Sequence, residues 1–257
     1  TGSPADSICA HGDNPSALLF VSKLRKFFTE RKIAVAPAGR LEFSFAPLGE
    51  RALLAQLPPR VAKSTHRKIR ALQLALDGMN GIVELVPCYA ELKIDFDPDG
   101  VSAREIQARI NAMELISSGL PEPRRVEVPV VYDGADLSVV AERNGLTEDE
   151  VIRLHSASTY LIYMLGFSPG FAYLGGLNPK LATPRLETPR VSVPAGSVGI
   201  AGGQNGVYPV ASPGGWNLIG RTPLRLFDAA SAKPFQFEPG DEVRFVPVTA
   251  EEYDAIG

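Results

Sequence analysis

The sequence lacks the features that would place it in a specialised class of protein. It has two cysteines in 257 residues, Cys9 and Cys88, and no CxxC spacing, so neither a disulfide framework nor a zinc site is expected. No apolar run approaches the roughly 18 residues of a membrane-spanning helix, and basic residues follow the apolar residues 17–21, the reverse of a secretory signal. A net charge of −3 gives no electrostatic basis for binding nucleic acid or an anionic membrane. We therefore expect a globular protein of the cytoplasm.

Several patterns of well-known active sites are absent as well. No Gly-Lys pair occurs, so the phosphate-loop pattern GxxxxGK[ST] cannot be present, and GxGxxG fails throughout the glycine-rich residues 196–220. The serine-hydrolase pattern GxSxG occurs once, at Gly166-Phe-Ser-Pro-Gly170, but so short a match does not by itself indicate a serine mechanism. No nucleophilic cysteine, metal-ligand cluster or complete Ser-His-Asp set with recognisable spacing can be found. These absences favour a partial site that a partner completes, and we expect no bound metal.

What the sequence does have is 24 glycines and 22 prolines, which favour many short strands. Residues 1–40 are predicted to be a polar tail and a possible short helix over 15–33. Residues 41–120 alternate strand, strand, helix, strand, strand and helix, which predicts a small α+β domain. Its second helix, after the one within 60–78, opens with the capping box Ser102-x-x-Glu105. His66, beside Arg67 and Lys68, is expected to be solvated.

A proline- and glycine-containing stretch, residues 117–123, is the best candidate for a linker. The following residues, 121–257, begin with a strand at Val126 and continue with a helix that ends at Asn144-Gly145. A second capping box, Thr147-x-x-Glu150, then opens another helix. Beyond residue 158 the short β-branched and aromatic runs predict a compact barrel or an orthogonal sandwich.

Residues 196–220 contain eight glycines, and two explanations remain open. Tight hairpins of a barrel need glycine for turns and bulges. Alternatively, exposed amides in Gly199-Ile-Ala-Gly-Gly-Gln-Asn-Gly206 form a concave site for an anion or a carbonyl group.

A set of longer motifs is specific to one family. In order these are Gly166-Phe-Ser-Pro-Gly-Phe-Ala-Tyr-Leu-Gly175, Thr183-Pro-Arg, Pro189-Arg, Val193-Pro-Ala-Gly-Ser-Val-Gly-Ile200, Gly206-Val-Tyr-Pro209, Pro213-Gly-Gly-Trp-Asn-Leu-Ile-Gly-Arg-Thr222 and Glu238-Pro-Gly-Asp-Glu-Val-Arg-Phe245. From about residue 41 to 248 the chain resembles the family of the 5-oxoprolinase B subunit, the sporulation-kinase inhibitor KipI and allophanate hydrolase subunit 1.

The resemblance implies an α+β N-terminal domain followed by a mainly-β, cyclophilin-like barrel. It also implies the B subunit of an ATP-dependent 5-oxoprolinase, an amide (lactam) hydrolase that converts 5-oxo-L-proline to L-glutamate. The expected partners are a second barrel subunit, like the 5-oxoprolinase C subunit or allophanate hydrolase subunit 2, and possibly a LamB/YcsF-like A subunit. We expect no activity from the chain alone. Two alternatives are a carboxyltransferase-type component of a urea or allophanate pathway and a KipI-like inhibitor of a sensor histidine kinase.

Nine residues are the candidates for the site. The proposed catalytic residues are His155, a general base or hydrogen-bond donor, Tyr173, a hydrogen-bond donor, and Arg221, an anion holder. Those proposed to bind substrate are Arg190, Gly202, Gly203, Gln204, Tyr208 and Trp216. Guanidinium groups bind carboxylates in bidentate fashion, and Arg190 and Arg221 are favoured over Arg185 because glycine and proline fix the turns around them. The alternative is that these arginines form structural ion pairs with Glu187 or Asp228.

Overall fold

The computed structural model describes Phe27 and residues 43–113 and 120–256. The helix predicted within 15–33 and most of the segment 1–40 lie outside these residues, as does Cys9. Residues 43–257 form one compact unit. The division at residue 120 stays a prediction. Among the described residues, no helix has both the length and the apolar character needed to cross a membrane.

The first part of this unit is a four-stranded antiparallel sheet with two helices. Its strands are β1 (Ser44–Pro47), β2 (Ala52–Gln56), β3 (Ile82–Pro87) and β4 (Glu91–Phe96), in the order β1-β2-β4-β3. The helices are α1 (Lys63–Leu76) and α2 (Ala103–Ala112), and the capping box at Ser102 and Glu105 is confirmed. Pro47 belongs to β1, where it pairs with Leu53. Proline is tolerated there because β1 is an edge strand.

The second part is a seven-stranded sheet that closes almost completely into a barrel. Its strands are β5 (Arg125–Val130), β6 (Thr159–Leu165), β7 (Ala172–Gly175), β9 (Ser197–Ala201), β10 (Gln204–Val207), β12 (Asn217–Arg221) and β13 (Glu242–Pro247), in the order β12-β9-β10-β7-β6-β13-β5. Val131 and Arg221 join the two edges through two backbone hydrogen bonds, of 3.0 and 2.9 Å. Strands β8 (Arg190–Val193) and β11 (Ser212–Gly214) form a separate two-stranded ribbon.

Three helices accompany the barrel: α3 (Leu137–Asn144), α4 (Glu148–Ser156) and α5 (Ala250–Ile256). Gly145 ends α3 in the left-handed conformation, at φ 64°, and Thr147 begins α4 with the predicted capping box. Apolar residues of α3 and α4 pack into the same core as the inner side chains of the strands. These two helices therefore belong to the barrel.

Alternation along the strands decides which side chains enter the barrel core. Successive side chains of a strand point to opposite faces, so every second residue points inwards. The inner residues from the strands are Val128, Val130, Tyr160, Ile162, Ala172, Leu174, Val198, Ile200, Val207, Ile219, Val243 and Phe245. We call this side of the sheet the inner face and the opposite side the outer face.

The expectation that His66 is solvated is wrong. His66 is 2% exposed and lies on the same face of α1 as Ile69, Leu72 and Leu76, where its ring meets Tyr163 edge-on at 5.2 Å. That spacing is the 3.6-residue period of a buried helix face, so the basic neighbours in sequence point elsewhere. Burial lowers the pKa of His66 to about 4, with the charge of Arg70 acting in the same direction. The imidazole is therefore neutral near pH 7.

Candidate functional site

Aromatic side chains cover the outer face of the barrel sheet. Phe171 lies at the centre, with ring centroids 4.9 Å from Tyr173, 5.3 Å from Tyr208 and 5.4 Å from Trp216, all in edge-to-face orientation. Pairs of this kind stabilise beyond simple area burial. The group is separate from the barrel core, because Ala172 and Leu174 point inwards while Phe171 and Tyr173 point outwards. We call Phe171, Tyr173, Tyr208 and Trp216 the outer aromatic cluster.

Glycines allow the aromatic rings to lie directly on the backbone. A Cβ atom added at Gly206 would stand 2.8 Å from the ring of Trp216, and one at Gly199 would stand 3.1 Å from its Cβ. A Cβ at Gly214 would reach within 2.3 Å of the Tyr208 hydroxyl. Part of the glycine density between residues 196 and 220 therefore serves the packing of rings, which neither sequence-based explanation anticipated.

The hairpin turn between β9 and β10 accounts for two further glycines. Gly202 and Gly203 link the paired residues Ala201 and Gln204, and Gly202 has φ +57°. Both are exposed, with no atom within 4 Å of an added Cβ. The Gly202 N–H already donates to the Thr183 carbonyl at 2.7 Å. A turn is thus the local reason for these glycines, and only the Gly203 amide remains for the predicted substrate contact.

Arg185 lies over the face of Trp216 and is exposed. Its guanidinium carbon stands 5.8 Å from the ring centroid, within the range of a cation–π contact. Within residues 43–113 and 120–256, no carboxylate forms an ion pair with Arg185. Its positive charge also lowers the pKa of both Tyr173 and Tyr208, although burial outweighs it and raises both pKa values. The two hydroxyls therefore stay protonated beside a cation that is open to an anion.

The cluster has an accessible rim and a packed base. Tyr208 and Trp216 are 1% and 5% exposed, so they support the site from below. Tyr173 and Gln204 are half-buried. The side chain of Gln204 donates to the hydroxyl of Tyr89, which comes from the turn between β3 and β4. Tyr89 also meets Tyr173, with centroids 6.4 Å apart, so the four-stranded sheet contributes to this rim.

The two arginines favoured from the sequence are engaged in ion pairs, though not with Glu187 or Asp228. Arg190 donates to Asp136 at 2.7 Å and to the Trp216 carbonyl at 3.3 Å, and this pair is largely buried. Arg221 donates to Asp133 at 2.8 Å and lies 4.4 Å from the ring centroid of Tyr253. Their predicted role as anion holders would need these pairs to open. Arg185, ranked below them from sequence, has no such competitor.

His155 is enclosed in the barrel core. It is fully buried, its Nδ1 is 2.7 Å from the Tyr132 hydroxyl, and its ring lies 4.6 Å from that of Phe245. Burial lowers its pKa to about 4, opposed in part by Asn205, although Asn205 and the His155 Nε2 do not reach hydrogen-bonding geometry. The imidazole is therefore neutral near pH 7 and lies on the opposite side of the sheet from Tyr173 and Arg185.

The structure thus brings together Tyr173, Gln204, Tyr208 and Trp216, and leaves His155 and Arg221 away from them. Sequence reasoning missed Arg185 as the free cation and Tyr89 as a member of the rim. The signal available for Arg185 was its place in the family motif Thr183-Pro-Arg. No local signal pointed to Tyr89, which is 115 residues from Gln204. Within the described residues, no group of three or more His, Cys, Asp or Glu side chains could hold a metal ion.

Comparison with known proteins identifies the family to which the chain belongs. Residues 43–237 match the family model of the carboxyltransferase domain, subdomain C and D. The chain is 45% identical over 204 residues to the 5-oxoprolinase B subunit of Escherichia coli O157:H7, covering 78% of this chain and 94% of that protein. It is 36% identical to the 5-oxoprolinase B subunit of Bacillus subtilis (strain 168), covering 84% and 97%. The chain therefore belongs to the carboxyltransferase-domain family that includes the 5-oxoprolinase B subunits, which confirms the resemblance seen in the motifs.

Solved structures share the fold. A crystal structure of TTHA0988 superposes with a TM-score of 0.73 at 38% identity, covering 78% of this chain. This chain spans only 41% of the length of TTHA0988. The crystal structure of the Kluyveromyces lactis urea carboxylase has a TM-score of 0.68 at 21% identity, covering 87% of this chain and 24% of that one. At that identity the likeness extends to the fold alone.

Proposed function

We propose that this chain is the B subunit of an ATP-dependent 5-oxoprolinase, which opens 5-oxo-L-proline to L-glutamate in the cytoplasm. The identity to named 5-oxoprolinase B subunits over nearly their whole length supports this reaction. In this proposal residues 43–113 belong to an α+β domain that precedes a cyclophilin-like barrel. ATP is a substrate of the assembled complex.

One observation carries the assignment of the site: an ion-pair-free arginine lies over Trp216 and beside two protonated tyrosines. 5-Oxoproline carries a carboxylate, a neutral lactam amide and an apolar ring. Arg185 suits the carboxylate, because a guanidinium binds it in bidentate fashion. Tyr173 can donate a hydrogen bond to the lactam carbonyl, and Gln204 offers a neutral amide for the lactam N–H. Trp216 and Tyr208 hold these groups from below.

The same site supports dependence on a partner subunit. His155 is enclosed within the barrel, so we assign it no proton transfer with the substrate. On the rim, the described side chains bind and orient; a nucleophile or a base near neutral pKa must come from elsewhere. We therefore propose that a second barrel subunit, like the 5-oxoprolinase C subunit, completes the site, and that a LamB/YcsF-like A subunit takes part in the complex.

The test is co-expression with the partner subunits, followed by parallel measurement of glutamate and ADP released from 5-oxo-L-proline and ATP. We expect coupled release by the complex and none by the isolated chain. Arg185→Ala should lower kcat/KM by about a hundredfold, as expected when a charge-assisted contact is removed. Arg185→Lys should recover part of it.

The matched control is Arg225→Ala, which removes an exposed arginine paired with Asp228. It should leave turnover unchanged. Turnover by the isolated chain would contradict the dependence on a partner, and equal losses in the two arginine variants would remove Arg185 from the site.

The alternative is a carboxyltransferase-type role with urea, favoured by 29% identity to the urea amidolyase of Saccharomyces cerevisiae over 152 residues, about half of this chain. Urea has no carboxylate, so Arg185→Ala should then have little effect on substrate KM. Carboxylation of urea by carboxybiotin, with no release of glutamate from 5-oxoproline, would favour this role. The KipI-like role is tested by measuring autophosphorylation of a sensor histidine kinase. Inhibition of the kinase by the chain, with neither glutamate release nor urea carboxylation, would favour that role.

A further inference from the structure

Phe167 presents an aromatic ring to solvent from a strained backbone. Its side chain is 65% exposed, and among the described residues it is the one non-glycine residue with positive φ, at 72°. A bulky side chain in this region of φ is disfavoured by contact with its own backbone. Burial of the ring does not compensate for this cost. Strain of this kind is found at positions where function, not folding, requires the side chain.

The loop that carries Phe167 is anchored on both sides. The Gly166 N–H donates to the Phe171 carbonyl, and the Phe171 N–H donates to the Ser168 carbonyl, each at 3.0 Å. Gly170 has φ +80°, and a Cβ there would approach Phe227 and Leu226 at 3.1 and 3.3 Å. The surrounding structure therefore fixes the backbone of the loop, and the backbone sets the direction in which the Phe167 side chain leaves it.

The ring continues the outer aromatic cluster towards solvent. Phe167 meets Phe171 edge-on, with centroids 5.5 Å apart, and Phe171 in turn contacts Tyr173, Tyr208 and Trp216. Beside it, the hydroxyl of Ser168 is buried and has no hydrogen-bond partner. An exposed apolar ring that continues a cluster with polar groups on its rim suits a small ligand that has both polar and apolar sides.

We propose that Phe167 is a substrate-contacting residue that packs on the apolar ring methylenes of 5-oxo-L-proline, an inference that rests on the proposed function. Arg185, Tyr173 and Gln204 bind the polar side of the lactam, and Phe167 selects for the ring. Urea has no methylene groups and gains nothing from this contact. Phe167 thus distinguishes a cyclic lactam from smaller amides at the same site.

The decisive variant is Phe167→Gly in the assembled complex, because glycine adopts positive φ without strain while the ring is lost. We expect the melting temperature to be unchanged or higher and binding of 5-oxo-L-proline, measured by calorimetry, to be about tenfold weaker, the size expected for about two buried methylenes. KM should rise by the same factor with kcat nearly kept. Phe167→Tyr retains the ring and should bind as the wild type does. Val83→Ala, at an exposed apolar residue of β3, is the control and should change neither quantity.

The outcomes separate the two proposals. Unchanged binding in Phe167→Gly overturns the role of Phe167, and so does loss of the partner subunit from the complex, which would make the ring an interface anchor. A lower melting temperature together with weaker binding also overturns it, because the ring would then be structural. Binding of 5-oxoproline by the wild-type complex without release of glutamate overturns the proposed reaction while the binding comparison at Phe167 still holds. No binding by the wild-type complex overturns both.

Discussion

The same strands form both faces of the barrel sheet, but the inner face is packed against the core and the outer face is partly exposed to solvent. The inner face is filled by aliphatic side chains around a fully buried His155, which contacts the rings of Tyr160 and Phe245. The outer face carries rings that lie on glycines, with Arg185 and Tyr173 open to solvent. A polar group on the inner face can act only on its neighbours in the protein. One on the outer rim can reach a ligand.

The difference between the two faces shows that the type of a residue is not sufficient to place it in the candidate site. Histidine is the usual candidate for acid–base chemistry, yet both described histidines are buried and neutral near pH 7. Arg190 and Arg221 were favoured as anion holders because rigid turns surround them, yet both complete ion pairs. The arginine without a carboxylate partner is the one that remains available. The following experiments test the comparison between the faces, starting with the largest expected effect.

The inner face should be the more sensitive to loss of a polar side chain. His155→Ala leaves a cavity in the core and the Tyr132 hydroxyl without its partner, so the free energy of unfolding should fall by about 4 kcal/mol. On the outer rim, Tyr173→Phe should change it by about 0.5 kcal/mol or less. Urea denaturation of both variants measures this. Similar losses in the two would contradict the division between a sealed core and an open rim.

Two ion pairs of the same chemistry should differ through burial. Asp136 accepts from Arg190 and from the Leu218 N–H at 2.6 Å and is nearly buried, so Asp136→Ala should cost about 3 kcal/mol. Asp133→Ala removes the partner of exposed Arg221 and should cost less than about 1 kcal/mol. Chemical denaturation gives both values. A larger loss in Asp133→Ala than in Asp136→Ala would contradict the idea that burial sets the cost of breaking these ion pairs.

On the outer face the aromatic rings pack directly on glycine residues, and a single added methyl group should disrupt this packing. Gly206→Ala places a Cβ against the rings of Trp216 and Phe171, and we expect a loss of about 2 kcal/mol from overpacking. Gly203→Ala, in the open turn, should be neutral within about 0.5 kcal/mol. Thermal unfolding of the Gly206→Ala and Gly203→Ala variants measures this difference. Tolerance of alanine at 206 would show that the rings do not need close contact with the backbone.

The two buried histidines make the stability of the protein depend on pH, and their effect is spread gradually over the pH scale. Both have folded-state pKa values of about 4, below the 6.5 of an unfolded chain, so the unfolded chain binds protons first as the pH falls. Their contribution is complete above about pH 6.5 and declines towards pH 4, by at most about 1.4 kcal/mol per pH unit for each histidine. Denaturation at pH 7, 6 and 5 should show this slope, and His66→Gln should reduce it. An unchanged slope in that variant would mean that His66 already carries a proton in the folded state.

The sequence predicted most elements of secondary structure, because their signals are local. Both capping boxes and the end of α3 at Gly145 are where the patterns indicated. The burial of His66 was not predicted, because it depends on the sheet that packs against α1.

The sequence by itself determined the family, the alternating strands and the residue types available for a site, since motifs, period and caps are encoded within a few neighbouring positions. Only the tertiary structure decided which of those residues meet. Arg190 finds Asp136 at a separation of 54 residues, and Arg221 finds Asp133 at 88. Because of those ion pairs, Arg190 and Arg221 are not available to bind an anion, whereas Arg185 lies over Trp216 without a carboxylate partner among the described residues. Pairing of charges depends on distance in space, and barrel closure, which local patterns do not encode, sets that distance.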